Sequence, residues 1–145
     1  MDMSDKEYQS LAEKYYPSSP MAKNVLIAFL VGGAICTLGE IIRQVALSKG
    51  LENQDALTIT SVVLIFLSVL LTGLDVYDKI AKFAGAGTLV PITGFANAMA
   101  APAIEFKSEG YVLGMGAKMF IIAGPVIVYG TLSAVAAGII YYFFR

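Results

Sequence analysis

The sequence contains no histidine and no tryptophan, and a single cysteine, Cys36. Without an imidazole there is no His-based acid–base catalysis, no Ser–His nucleophile pair and no His metal ligand. A lone cysteine forms no internal disulfide and says nothing about redox compartment. Charge is scarce: 14% of the 145 residues, where a soluble domain carries about 25%. The net charge of −1 lacks the basic footprint of a nucleic-acid partner. No GxxxxGK[ST] phosphate loop, GxGD motif or metal cluster is present, so nothing points to an enzyme, a cofactor or a resident metal.

What fills the space is hydrocarbon. Apolar residues make up 57% of the chain. Asn24 to Gly39 is uncharged, and its apolar character continues past Glu40 and Arg43 to Leu47. Ala56 to Leu74, Phe83 to Ile104 and Met119 to Phe144 carry no charge over 19, 22 and 26 residues. A bilayer core about 30 Å thick needs about 20 helical residues, so all four runs are candidate spans. The expected fold is an all-α, polytopic membrane bundle forming one domain. Its segments are an amphipathic surface stretch over 1–23, spans over 24–47 and 56–85, a broken half-helix over 86–104, a short helix over 108–123 and a last span over 125–144. The first 23 residues hold Asp2, Asp5, Glu7 and Glu13 ahead of any apolar run and have no basic n-region, unlike a signal peptide.

Two of the runs contain helix breakers. Asp75 with Lys79 and Asp78 with Lys82 are spaced i,i+4 with the acid first, which predicts helix through "LDVYDKIAKFA". Gly85 and Gly87 then permit backbone angles that a helix does not use, and Pro91 removes a donor. Thr93 is placed to cap a new helix through "GFANAMAAPAI". Gly124-Pro125 is expected to split the last run as well, with Gly110, Gly114 and Lys118 on one stripe of the piece before it. An unpaired amide in hydrocarbon costs several kcal/mol, so a break at bilayer depth must be packed in protein or line a watery cavity. Interrupted apolar segments are a sign of a transport site, because a half-helix N-terminus attracts anions without a formal charge. Gly85, Gly87, Pro91, Thr93, Gly94 and Asn97 are therefore the candidate pathway residues. The competing reading of these glycines is tight helix packing.

Small residues recur every four positions at Ala28, Gly32, Cys36 and Glu40, with Gly33, Thr37 and Gly39 beside them, and again at Gly130, Ala134 and Gly138. Such stripes let helices approach closely. Glu40 is assigned a structural pairing with Arg43. Orientation follows from the basic residues. If the third run turns back, Lys6, Lys14, Lys23, Lys79, Lys82, Lys107 and Lys118 share a side, against Arg43, Lys49 and Arg145. If it spans, Lys107 and Lys118 change sides and Arg145 joins the first group. Both arrangements favour a cytoplasmic N-terminus.

"AFLVGGAICTLGE" (Ala28 to Glu40), "LTGLDVYDKIAKFAGAGTLVPITGFANAMA" (Leu71 to Ala100) and "EFKSEGYVLGMGAKMF" (Glu105 to Phe120) resemble the SpoVAC/SpoVAEb membrane proteins of the SpoVA sporulation family. The resemblance covers nearly the whole chain, and Gly85 to Phe95 is its most specific part. Glu40 departs from the family pattern, where Gln is expected. The resemblance implies a channel or transporter subunit in the forespore and spore inner membrane. It would pass dipicolinic acid, as calcium dipicolinate, into the forespore and out at germination. It also implies SpoVA partners: AEb in the membrane and AD on the core side. The alternative is a non-conducting scaffold that assembles the complex.

Overall fold

The computed structural model describes Tyr8, Leu11 and residues 19–144. The surface segment expected over 1–23 lies for the most part outside the described residues. Among them there is no strand. Six α-helices follow in order: α1 Met21–Ser48, α2 Asn53–Gly73, α3 Tyr77–Ala84, α4 Ala86–Leu89, α5 Ile92–Glu105 and α6 Ala117–Phe144. A 3-10 turn, Lys107–Glu109, and a π-helical turn, Tyr111–Gly116, connect α5 to α6. Three stretches are long and apolar enough to cross a membrane: Met21–Ser48, Asn53–Gly73 and Tyr111–Phe144. The buried apolar positions are mostly small, as at Ala46, Ala56, Ala84, Ala96 and Ala123, while Phe29, Phe66, Val112 and Phe120 face outward. That inversion suits a chain whose solvent is lipid, where close backbone approach replaces a greasy core.

Helices α1 and α2 are antiparallel neighbours. Gly39 packs on α2 so closely that a Cβ there would sit 3.3 Å from Leu64 Cδ1. Their connection is held by polar groups. Arg43 donates from Nε and Nη2 to the two Glu40 oxygens at 2.9 and 2.7 Å, and from Nη1 to Asn53 Oδ1 at 2.9 Å. Gln44 also donates to Glu40, at 2.7 Å.

The continuous helix expected over 56–85 does not form. Helix α2 stops at Gly73 in a two-bond C-terminal motif: Val76 N–H donates to the Leu71 carbonyl at 2.9 Å and Asp75 N–H to that of Thr72 at 3.0 Å. The motif needs a left-handed residue. Asp75 supplies it at φ 57°, the only non-glycine residue with positive φ among those described. The end of α1 uses the same pair of bonds with Gly50 at φ 84°. The expected i,i+4 pairs persist unequally: Lys82 meets Asp78 at 2.7 Å, but Lys79 and Asp75 are 4.0 Å apart.

The last run also departs from expectation. No helix spans 108–123; instead the 3-10 turn leads to Gly110 at φ 100° and then to the π turn. Gly114 permits this, since a Cβ there would meet Glu109 Cβ at 2.6 Å. The break expected at Gly124-Pro125 is absent, and α6 runs through Pro125. Proline's fixed φ is already helical; α6 loses one donor there and makes room for the ring beside the preceding turn.

Between α2 and α6 the chain goes out and back. Ser68 Oγ donates to the Thr93 carbonyl at 2.6 Å, and Thr72 Oγ1 lies 2.8 Å from Asn97 Oδ1. Both pairs have the same sequence offset, so α2 and α5 run parallel. Asp75 and Asp78, at the start of the excursion, and Ile104 and Glu105, at its end, line one pocket. The segment 74–105 therefore leaves and returns to the same end of the bundle.

Candidate functional site

The turning point of this excursion is the Gly-Pro segment. Helix α3 ends at Gly85, whose φ of 53° and ψ of −126° lie outside the helical region. The single turn α4 follows, and Pro91 at ψ 161° is extended before α5 begins. Thr93, expected as a cap, is instead the second residue of α5; the cap position is Pro91, with no side-chain cap bond.

Three hydroxyls hold the break together. Tyr77 Oη donates to the Thr88 carbonyl at 3.0 Å, Thr88 Oγ1 donates to that of Gly85 at 3.0 Å, and Ser68 binds Thr93 as described. Thr88 and Ser68 are the largest fully buried side chains. The Thr88 carbonyl, freed where α4 ends, thus finds a donor inside the protein, as a low-dielectric setting demands. Glycine is required here by contact as well as by angle. A Cβ on Gly87 would lie 2.5 Å from the Ala28 carbonyl oxygen, and one on Gly94 would collide with the carbonyl oxygens of Thr88 and Leu89.

Helix α4 separates two spaces. On its outer side runs a groove against α1. One part, about 400 Å³, is lined by Asn24, Ala28, Lys82, Gly85 and Ala86 among others. The adjoining part, about 310 Å³, is lined by Ala28, Gly32, Gly33, Cys36, Ala86, Gly87, Val90 and Pro91. On its inner side is a half-open cavity of about 330 Å³ between Val31, Ala34 and Ile35 of α1, Leu64, Leu67 and Ser68 of α2, and Tyr77, Ile80, Thr88 and Thr93, with the exposed Leu38 and Leu70 at its rim.

The six pathway candidates are thus divided. Gly85, Gly87 and Pro91 line the outer groove together with Gly32, Gly33 and Cys36. Thr93 lines the inner cavity. Gly94 is buried against α4, and Asn97 lies at the far end, in a pocket of about 290 Å³ with Thr72, Asp75, Asp78 and Glu105. Thr72 Oγ1 also lies 2.7 Å from the Ser68 carbonyl; with one proton it donates to one neighbour at a time. Gly130, Ala134 and Gly138 have no place in this assembly: every residue from Pro125 to Phe144 is exposed.

The groove is weakly cationic at one end. Lys82 is held above the usual lysine range by its hydrogen bond to Asp78 and by that carboxylate's charge. Among the described residues no three His, Cys, Asp or Glu side chains converge to hold a metal ion. Sequence reasoning missed Ser68, Tyr77 and Thr88. Ser68 and Thr72 are polar at i,i+4 within an apolar span, which is the signature of an inward face.

The sequence profile of the SpoVAC/SpoVAEB sporulation membrane protein family matches residues 24–140. The chain is 44% identical to "Stage V sporulation protein AC" of Bacillus subtilis (strain 168) over 141 residues, 97% of this chain and 94% of that one. No solved structure matches it significantly.

Proposed function

The chain belongs to the SpoVAC/SpoVAEB sporulation membrane protein family, and on that premise we propose that it is a channel or transporter subunit for dipicolinic acid and its calcium chelate. The observation that supports this reading is the pair of helix breaks at Gly85 and Pro91, on either side of the single turn α4, packed against α1 and open to a groove. Continuous helices suffice for an anchor. A break held by three internal hydroxyls is costly to build and useful where a solute must meet backbone.

The outer groove supplies one wall of the pathway. Asn24 and Lys82 form its mouth, and Gly85, Gly87 and Pro91 its floor, with Thr93 and Gly94 supporting the floor from behind. The opposite wall comes from another SpoVA membrane subunit, AEb, with AD engaging the assembly from the core side. A rigid dianion is drawn in by one cation and is then held weakly enough to leave. Segment 74–105 re-enters the membrane and does not cross it. Lys23, Lys79, Lys82, Lys107 and Lys118 then share one side, which supports a core-side N-terminus; membership of a sporulation membrane family supports the forespore and spore inner membrane as the location.

Dipicolinate efflux from vesicles holding this chain with its SpoVA partners tests the reading. Gly33 faces open space in the groove, where an added Cβ meets nothing within 4 Å. Gly33→Phe should block efflux while the complex still assembles; unchanged efflux sinks the pathway. The scaffold reading is favoured by one observation, the exposed length of α6 from Pro125 to Phe144. It requires Gly33→Phe to alter assembly and not flux.

A further inference from the structure

The Thr93 hydroxyl finds no hydrogen-bond partner among the described residues. The residue is 6% exposed and its Oγ1 has almost no accessible surface, so neither water nor another chain reaches it in this state. A buried, unsatisfied hydroxyl is a standing cost, and it disfavours the conformation that contains it. Beside it lies the inner cavity of about 330 Å³, lined by Thr88 and Thr93 on one side and by α1 and α2 on the other. The space opens to the surface past Leu38, Leu70 and Ile80, so it can take up a moving element without repacking a closed core. The element between cavity and groove is the four-residue α4, flanked by Gly85 at φ 53° and by extended Pro91. A Cβ on Gly85 would meet nothing within 4 Å, so the chain is unobstructed at that joint.

We propose that α4 is a hinged partition: it swings about Gly85 and Pro91 into the inner cavity, which widens and wets the outer groove and gives the Thr93 hydroxyl a partner. The structure described is then the narrow state. This rests on the permeation reading and adds to it the moving element, the space it moves into and the group that biases the balance. The close contact of Gly87 with Ala28 is what the movement releases.

The native cysteine reports the outcome. Cys36 lines the groove, and a thiol reacts as its thiolate, which water must stabilise. Labelling of Cys36 by a membrane-impermeant thiosulfonate in vesicles therefore follows the wetted state. Thr93→Val keeps the shape and removes the unsatisfied hydroxyl, so labelling should slow about tenfold. Thr93→Ser should keep the wild-type rate. Ala34→Phe, filling the cavity from α1, should slow labelling as Thr93→Val does. Unchanged or faster labelling in either slowing variant overturns the hinge. Dipicolinate efflux from the same vesicles is read separately. Slowed labelling with normal efflux leaves the hinge and removes the pathway; normal labelling with efflux still blocked by Gly33→Phe leaves the pathway and removes the hinge.

Discussion

The hydroxyl of Ser68 donates to the carbonyl oxygen of Thr93 across 2.6 Å and 25 residues, with both side chains buried. That bond ties the last turns of α2 to the first turn of α5. Ser68→Ala should cost about 1–2 kcal/mol of stability in detergent, because a buried donor is lost without replacement. Ser61→Ala is the control: its hydroxyl bonds only the Leu57 carbonyl of its own exposed turn, at 3.0 Å, and the change should be close to neutral. Equal effects would mean that the α2–α5 bond is unimportant.

Gly87→Ala should be far more damaging than Gly130→Ala. The first methyl falls 2.5 Å from the Ala28 carbonyl oxygen, and the second meets nothing within 4 Å. Overpacking of this kind costs about 1–3 kcal/mol or more, since backbone must move. Thermal unfolding in detergent separates the two, and matching midpoints would contradict the packing at α4.

Arg43→Ala should loosen the α1–α2 connection more than Glu40→Gln does. Arg43 joins Glu40 to Asn53 across the turn, whereas the Gln amide still accepts from Arg43 or Gln44. The pair is partly exposed, so the glutamine change should be small. Proteolysis rates at the 49–52 turn provide the readout; equal cleavage of the two variants would refute the bridging role.

Lys82→Ala should lower dipicolinate flux several-fold at low ionic strength, and the deficit should shrink in high salt as the mouth's field is screened. The Asp78 carboxylate holds the Lys82 ammonium above its usual range. A raised lysine pKa keeps the charge in place below that value, so the Lys82 contribution should be flat from neutral to mildly alkaline pH. A loss of flux near neutrality would have to come from another group.

Asn97→Leu separates the two ends of the excursion. Asn97 shares its pocket with Asp75, Asp78 and Glu105, a carboxylate-rich place for a dianion, and not with Gly87. Thr72 keeps the Ser68 carbonyl as an acceptor when the amide is gone. Efflux should stay within about twofold of wild type, a free-energy change well under the tenfold step; a block would move the pathway from the α1 groove to the acidic pocket.

Apolar length marked four runs, of which three form helices long enough to cross and Phe83 to Ile104 does not, while Gly85 and Pro91 were legible as breaks from their own chemistry. The stop after Gly73 was not, because Asp75 takes the left-handed position usually given to glycine, while its spacing to Lys79 imitates a helical pair. Pro125 misled in the other direction: a proline interrupts a helix only if the freed carbonyl and the ring find no room, and α6 accommodates both. For the site, composition pointed to the segment but could not divide it. Which of Gly87, Thr93 and Asn97 face a common space depends on the parallel register of α2 and α5, fixed by contacts 25 residues apart.

The out-and-back path of residues 74–105 leaves three stretches long and apolar enough to cross a membrane, an odd number, and with them unequal ends. Five lysines, at 23, 79, 82, 107 and 118, outnumber Asp75, Asp78, Glu105 and Glu109 at one face of the bundle, whereas Glu40, Glu52 and Asp55 outnumber Arg43 and Lys49 at the other. A negatively charged solute would then pass more readily in one sense than in the reverse. If the subunit conducts as proposed, it should behave as an electrical rectifier, with current–voltage curves that bend at zero potential even when both compartments hold the same solution.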